Sequence, residues 1–255
     1  MGKFSRHGFF IERNLFLVYD NRTIQVHSHL VTSRLQNREC NYLGNLAQDL
    51  LCSTDTKDTQ GFFITGTDTG VGKTLVSCAL IKEFQRRQIK ALGLKPICCG
   101  DRADTLKFWE LSDRKIPINL INPIHLPYPV APVSQPCPPW PTLLRRVQRA
   151  FLKCVTKDTR ILLVEGAGGL LCPITRKQTM RELAKTLHLP LVLVARDRLG
   201  VLNHTLLTLE AAQSAGLKCA AIVLNRIKQK SDSSSNTNRH ALSQLTNIPI
   251  YYHRA

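Results

Sequence analysis

Long apolar runs are missing from this 255-residue chain. No stretch reaches the roughly 18 consecutive apolar residues that a membrane-crossing helix needs, which excludes a transmembrane helix. An unbroken secretory core of about 7–15 apolar residues is lacking too. Glu12, Asp20, Glu39 and Asp49 interrupt any acid-poor organellar presequence. Aromatic residues make up only 6% of the chain, and the basic doublets Arg86-Arg87 and Arg145-Arg146 lie outside any aromatic cluster. Acids are scarce, 18 Asp and Glu against 35 Lys and Arg, for a net charge of +17. That balance invites an anionic partner, but the basic residues are spread out, so neither nucleic acid nor membrane is expected as one. Nine cysteines are scattered without the paired CxxC spacing of zinc sites, and Cys98 and Cys99 are adjacent. The thiols read as reduced and the compartment as cytoplasmic. His188, His204 and His240 show no spacing that joins them as metal ligands. There is no internal repeat and no local Ser-His-Asp signature.

What is present reads as a globular α/β protein. The chain is 43% hydrophobic and 21% charged, ordinary values for a folded domain. It divides near residue 60. Residues 1–60 carry short, broken apolar stretches and end in the polar CSTDTKDTQ. They read as a weakly structured extension and linker, or the product of a start codon assigned too far upstream, with a functional arm as the other possibility. From Gly61 apolar runs alternate with helical patterns. GFFIT (61–65), ALGLKPI (91–97), ILLVEG (161–166), LVLVA (191–195) and CAAIVLN (219–225) are strand candidates. Thr74 to Arg87, Thr179 to His188 and Leu202 to Ala215 are helix candidates, the last capped by Gly216. Ser231 to Asn238 reads as a mobile polar loop. The expectation is a P-loop NTPase-type fold: a mainly parallel sheet with helices on both faces and ligands at the carboxyl ends of the strands.

The strongest chemical signal is GTDTGVGKT, Gly66 to Thr74. It departs from G-x-x-x-x-G-K-[ST] by placing Thr67 at the first glycine position, with Gly66 one residue earlier, but keeps Gly72-Lys73-Thr74 between a strand and a helix. Gly70 and Gly72 let backbone N–H groups approach phosphate oxygens. Lys73 can reach the terminal phosphates, and the Thr74 hydroxyl can ligate Mg²⁺. VEGAGG (164–169) follows a buried strand. Glu165 there is either a second Mg²⁺ ligand or an acid capping the next segment. In KPICCGDRAD (95–104), Lys95 could stabilise developing negative charge, and Asp104 could complete the metal shell. Taken alone, a strand-end lysine is usually a solvated surface charge, and Cys98 and Cys99 are as readily core packing as chemistry.

Together GTDTGVGKT, KPICCGDRAD, VEGAGG, RLGVLNHTLLT and VLN, in that order and at compatible separations over residues 61–250, resemble the dethiobiotin synthetase family of the biotin pathway. The resemblance implies an ATP-dependent cyclo-ligase that forms C–N bonds in a homodimer. Its substrates would be ATP, CO₂ and 7,8-diaminononanoate, with Mg²⁺ as cofactor. It implies Thr69, Lys73 and Lys95 near the reacting carbamate and phosphates, and Gly70, Val71, Gly72, Lys73 and Thr74 around the phosphates of ATP. It also implies Asn225 at adenine and Thr74, Asp104 and Glu165 around the metal. Cys99 falls where many relatives have a serine near the substrate amines. Gly200, Val201, Leu202 and Asn203 match the helix start that receives the substrate carboxylate across the dimer. The chain departs from the family at Ala131-Pro132-Val133, at Ala103 and in stopping at IPIYYHRA, which predicts an incomplete sheet edge and adenine pocket. Two other readings are a partitioning or septum-site switch ATPase, opposed by Asp68 where that class has lysine, and a non-catalytic nucleotide-binding relative. A cobalamin amidoligase would need a further domain.

Overall fold

The computed structural model describes residues 16–19, 22–25, 43–51, 59–227 and 233–254. The first elements are an antiparallel hairpin, β1 (Phe16–Tyr19) and β2 (Arg22–Gln25), and a helix, α1 (Leu43–Leu51). From Gln60 the chain runs β3 (Gln60–Gly66), α2 (Lys73–Arg86), β4 (Ala91–Leu94), β5 (Ile97–Cys99), α3 (Ala103–Leu111), α4 (Ile118–Ile121) and β6 (Ile124–Leu126). It continues through α5 (Trp140–Cys154), β7 (Ile161–Glu165), α6 (Met180–Thr186), β8 (Leu191–Arg196), α7 (Val201–Gln213), β9 (Cys219–Arg226), α8 (Asn238–Leu245) and β10 (Ile250–Arg254).

Six strands form one parallel sheet in the order β10-β9-β8-β3-β7-β4. Every residue of β3, β4 and β7 is buried, as continuous apolar runs covered on both faces require. The chain fills one side of β3 with β7 and β4, then crosses to place β8 on the other side. The carboxyl end of β3 is therefore the switch point, where open parallel sheets bind ligands. The strand candidates at 61–65, 161–166, 191–195 and 219–225 match β3, β7, β8 and β9, and the three helix candidates match α2, α6 and α7 within one or two residues at each end.

Four expectations change. ALGLKPI is not one strand. Pro96 has no N–H for a ladder, so β4 ends at Leu94, and β5 pairs with β6 outside the main sheet. Helix α1 lies inside the stretch expected to be weakly structured, yet its Leu46, Ala47 and Leu50 are 0–2% exposed and belong to the main core. Tyr251 donates to Asp49 Oδ2 (2.7 Å), and Arg87 donates to Gly44 O (2.8 Å) and to Gln48, which fasten α1 to β10 and to the end of α2. IPIYYHR supplies β10, a parallel edge strand in register with β9, so the sheet edge is made. In the polar stretch near residue 235, Ser233–Asn236 form a 3₁₀ turn, and Ser235 and Asn238 are buried. They are held because their side chains bond to Asp197. Residues 231 and 232 lie outside the described residues.

Candidate active site

The glycine-rich loop joins β3 to α2 at the switch point. Gly70 and Gly72 have φ of 72° and 91°, a left-handed backbone that only glycine adopts without cost. At Gly72 space forbids a side chain as well, because a Cβ would lie 2.0 Å from Asn225 Nδ2. Helix α2 starts at Lys73, so its free N–H groups and positive end face the loop. Lys73 is buried and donates to Asp68 O at 3.0 Å. Burial lowers its pKa to about 8, and Lys95 adds to that, against the raising pull of Glu165, Asp104 and Asp68. Thr69 is exposed, with its N–H on Asp68 Oδ1 (2.6 Å).

Glu165 ends β7, in register with Ile64 of β3, and is fully buried. A carboxylate there is tolerable only when it is well partnered. Its Oε1 accepts from Thr74 Oγ1 (2.7 Å) and Lys95 Nζ (2.6 Å), and its Oε2 accepts from Ser77 Oγ (2.8 Å). Lys95 is 5% exposed and also pairs with Asp104 Oδ2 (3.1 Å). The break after β4 aims it there: Lys95 N donates to Ile121 O, and Asn122 Nδ2 holds Lys95 O. Burial works against charge on Lys95, yet Glu165 and Asp104 outweigh it and hold the ammonium pKa above its usual value. Burial likewise opposes ionisation of Asp104, but the charge and hydrogen bond of Lys95 keep that carboxyl below its usual range. Glu165, Asp104 and Thr74 form an all-oxygen donor set suited to a hard cation such as Mg²⁺, which takes one or two carboxylates plus phosphate oxygens. Among the described residues no three His, Cys, Asp or Glu side chains converge as a cage; the Thr74 hydroxyl lies beside the two acids through its bond to Glu165 Oε1.

The remaining expected residues are placed differently. Asn225, at the end of β9, is fully buried and turned inward: Nδ2 donates to Val71 O (2.8 Å), and Oδ1 faces His253 Nδ1 (2.8 Å). Cys99 ends β5 half-buried. Burial, reinforced by the neighbouring thiols of Cys98, Cys172 and Cys137, raises its pKa to about 11, so the group is a neutral thiol. Gly200 (φ 89°) precedes α7; Val201 is buried, Leu202 partly so and Asn203 exposed. Among the described residues none of these four bonds to the loop cluster. Thr208 and Ala211, further along α7, do line a hollow of about 370 Å³ with Asp68, Thr69 and Cys172. Sequence reading missed Ser77 and His253. Ser77 sits one helical turn beyond Thr74, on the same face of α2, a spacing that could have marked it. His253 had no signal until β10 was known to pair with β9.

A strand, a glycine-rich turn with Lys73 and Thr74, and a buried acid–lysine pair at the next strand end define a P-loop nucleotide-binding protein. A family model described as an AAA domain matches residues 60–251. The ATP-dependent dethiobiotin synthetase BioD of Anaeromyxobacter dehalogenans (strain 2CP-1) is 40% identical over 192 residues, 73% of this chain and 86% of that protein. The protein of the same name from Akkermansia muciniphila is 35% identical over 198 residues (75% and 90%). That of Methanocaldococcus jannaschii is 35% identical over 175 (67% and 81%). The chain belongs to the dethiobiotin synthetase family.

Proposed function

We propose that this chain is the ATP-dependent cyclo-ligase that converts 7,8-diaminononanoate and CO₂ into dethiobiotin, with ADP and phosphate as the other products. The observation that carries the reading is the strand-end cluster of Lys73, Thr74, Glu165, Lys95 and Asp104 around the phosphate loop, in a chain 40% identical to a dethiobiotin synthetase. One amine of the substrate captures CO₂ as a carbamate, and a carbamate oxygen attacks the γ-phosphorus of ATP, releasing ADP. The neighbouring amine then attacks the carbonyl of the mixed anhydride, and phosphate leaves as the ureido ring closes. Such a reaction needs mainly positioning and charge neutralisation.

In this reading the N–H groups of Gly70, Val71 and Gly72 cradle phosphate, and the Lys73 ammonium meets the transferring phosphoryl group. Lys95, held charged between two carboxylates, faces the carbamate, with Thr69 beside it. Mg²⁺ on Thr74, Asp104 and Glu165 would neutralise charge on the β- and γ-phosphate oxygens. Cys99 lies near the substrate amines as a weak donor. Asn225 borders the adenine pocket, and Gly200–Asn203 of a partner subunit take the substrate carboxylate in a homodimer. The cytoplasm is the compartment that fits these substrates and the thiols, which are free among the described residues.

The test is ADP release with ATP, Mg²⁺ and bicarbonate, with and without the diamine. Release that depends on both diamine and bicarbonate, with dethiobiotin detected by mass, is the expected result. Diamine-independent hydrolysis stimulated by DNA or lipid would replace this reading with the switch ATPase.

A further inference from the structure

The imidazole of His253 is used neither by the phosphate cradle nor by the acid–lysine cluster, yet it touches the phosphate loop through a single intermediary. His253 and Asn225 are directly opposite in the β10–β9 register. Asn225 Nδ2 donates to Val71 O (2.8 Å), and Asn225 Oδ1 meets His253 Nδ1 (2.8 Å). A backbone carbonyl only accepts, so the amide nitrogen of Asn225 must face Val71. Its oxygen must then face the ring, and Nδ1 must carry the proton. Burial holds the His253 pKa below its usual value, so at neutral pH this N–H is the ring's only one.

The mechanical consequence follows from the planar trans peptide. The Val71 carbonyl and the Gly72 N–H belong to one plane and point in opposite directions. Anchoring the carbonyl on Asn225 therefore turns the Gly72 N–H to the side opposite the Asn225 amide. Gly72 is held so closely there that no Cβ fits against Asn225. We propose that His253 is a positioning residue for nucleotide binding: its Nδ1–H orients Asn225, which fixes the Val71–Gly72 peptide and aims the loop N–H groups at phosphate. Free of His253, the Asn225 amide could rotate about its Cβ–Cγ bond, and the peptide would lose its fixed direction. This deepens the nucleotide-binding part of the proposed function and rests on it.

The experiment compares three variants of the full chain by titration calorimetry with ADP and Mg²⁺, and by steady-state kinetics. An asparagine places its Nδ2 along the same Cα–Cβ–Cγ–N path as imidazole Nδ1, whereas a glutamine carries its amide one carbon further out. His253→Ala and His253→Gln are expected to weaken ADP binding about tenfold, the effect of one lost buried hydrogen bond, and to raise the KM for ATP similarly. His253→Asn is expected to stay within about threefold of the unaltered chain. The KM for the diamine should not move in any of them. ADP binding unchanged in His253→Gln, no recovery in His253→Asn, or a diamine KM that rises in step with that for ATP would each overturn the inference. Should His253→Ala not fold, the comparison of Asn with Gln decides. Failure of the unaltered chain to make dethiobiotin would instead sink the proposed reaction and leave the ADP comparison readable.

Discussion

Two buried carboxylates stand at strand ends on opposite sides of β3, and their surroundings differ. Glu165 ends β7 and Asp197 follows β8, and neither side chain has any exposed surface. Asp197 receives Arg226 Nε (2.7 Å) on Oδ2 and Asn238 Nδ2 (2.8 Å) on Oδ1. Arg226 lies over the Tyr252 ring at 4.5 Å, so its charge is itself capped. This knot ties β8, β9, α8 and β10 into a rigid wall. The Glu165 knot is open by contrast. Two of its partners, Lys95 and Thr74, sit beside Asp104, whose side chain is 40% exposed, and Thr74 lies in the first turn of α2, whose N–H groups have no intrahelical partner. Burial alone therefore does not mark a site. The distinguishing feature is a partner set with capacity left for a ligand.

The sharpest break in this comparison is expected at Lys73, the cation beside the open knot. Lys73→Ala should lower kcat by at least about a hundredfold, as loss of one preorganised charge contact does, with the thermal midpoint retained. Measurable wild-type turnover in that variant would remove the loop from the chemistry. Substituting the two acids should then separate them. Glu165→Gln should cut kcat on the order of tenfold to a hundredfold and shift the Mg²⁺ titration to higher concentration. Asp197→Asn should leave kcat near normal but cost about 2 kcal/mol of stability, because Arg226 loses its ion pair while keeping 26% of its side chain in solvent. A large kcat defect in Asp197→Asn with normal stability would erase the distinction. The next effect is in pH. Burial sets the Lys73 pKa at about 8, below its normal value, so in the free protein its charge is present below pH 8 and lost above it. Log kcat/KM for ATP should fall as pH rises through that region, and Lys73→Arg, always protonated, should abolish the fall. The smallest effect is expected at Ser77, whose hydroxyl holds the second oxygen of Glu165. Ser77→Ala should cost about 1 kcal/mol and raise the Mg²⁺ requirement a few-fold, without the loss seen on changing Glu165 itself.

The same contrast explains what could be read from the sequence. Strands β3, β7, β8 and β9 were legible because parallel strands buried on both faces are unbroken apolar runs. The phosphate loop was legible because its glycines, lysine and threonine are constrained by local geometry alone. Lys95 was ambiguous as a strand-end lysine, and only the turn from β4 towards Asn122 brings it within 2.6 Å of Glu165, 70 residues away. Helix α5 went unread, although Leu143, Val147, Ala150 and Cys154 recur at helical spacing along its buried face. Asp197 and Ser235 were invisible for the opposite reason: their partners are distant in sequence, and polar residues near Ser235 look like a loop until the acid they bond to is known.

Helix α1 has a temporal consequence. The hydrogen bond from Tyr251 to Asp49 spans 202 positions, among the longest separations in the molecule. Contacts of this kind are the slowest to close, because loop-closure entropy must be met before they contribute anything. On the ribosome, α1 can lean on Arg87 as soon as α2 has emerged. Asp49 stays without its tyrosine until β10 has been synthesised and laid against β9. The first helix and the last strand thus complete each other, and a ribosome stalled before residue 251 would display a sheet with its β9 edge bare and α1 only half docked.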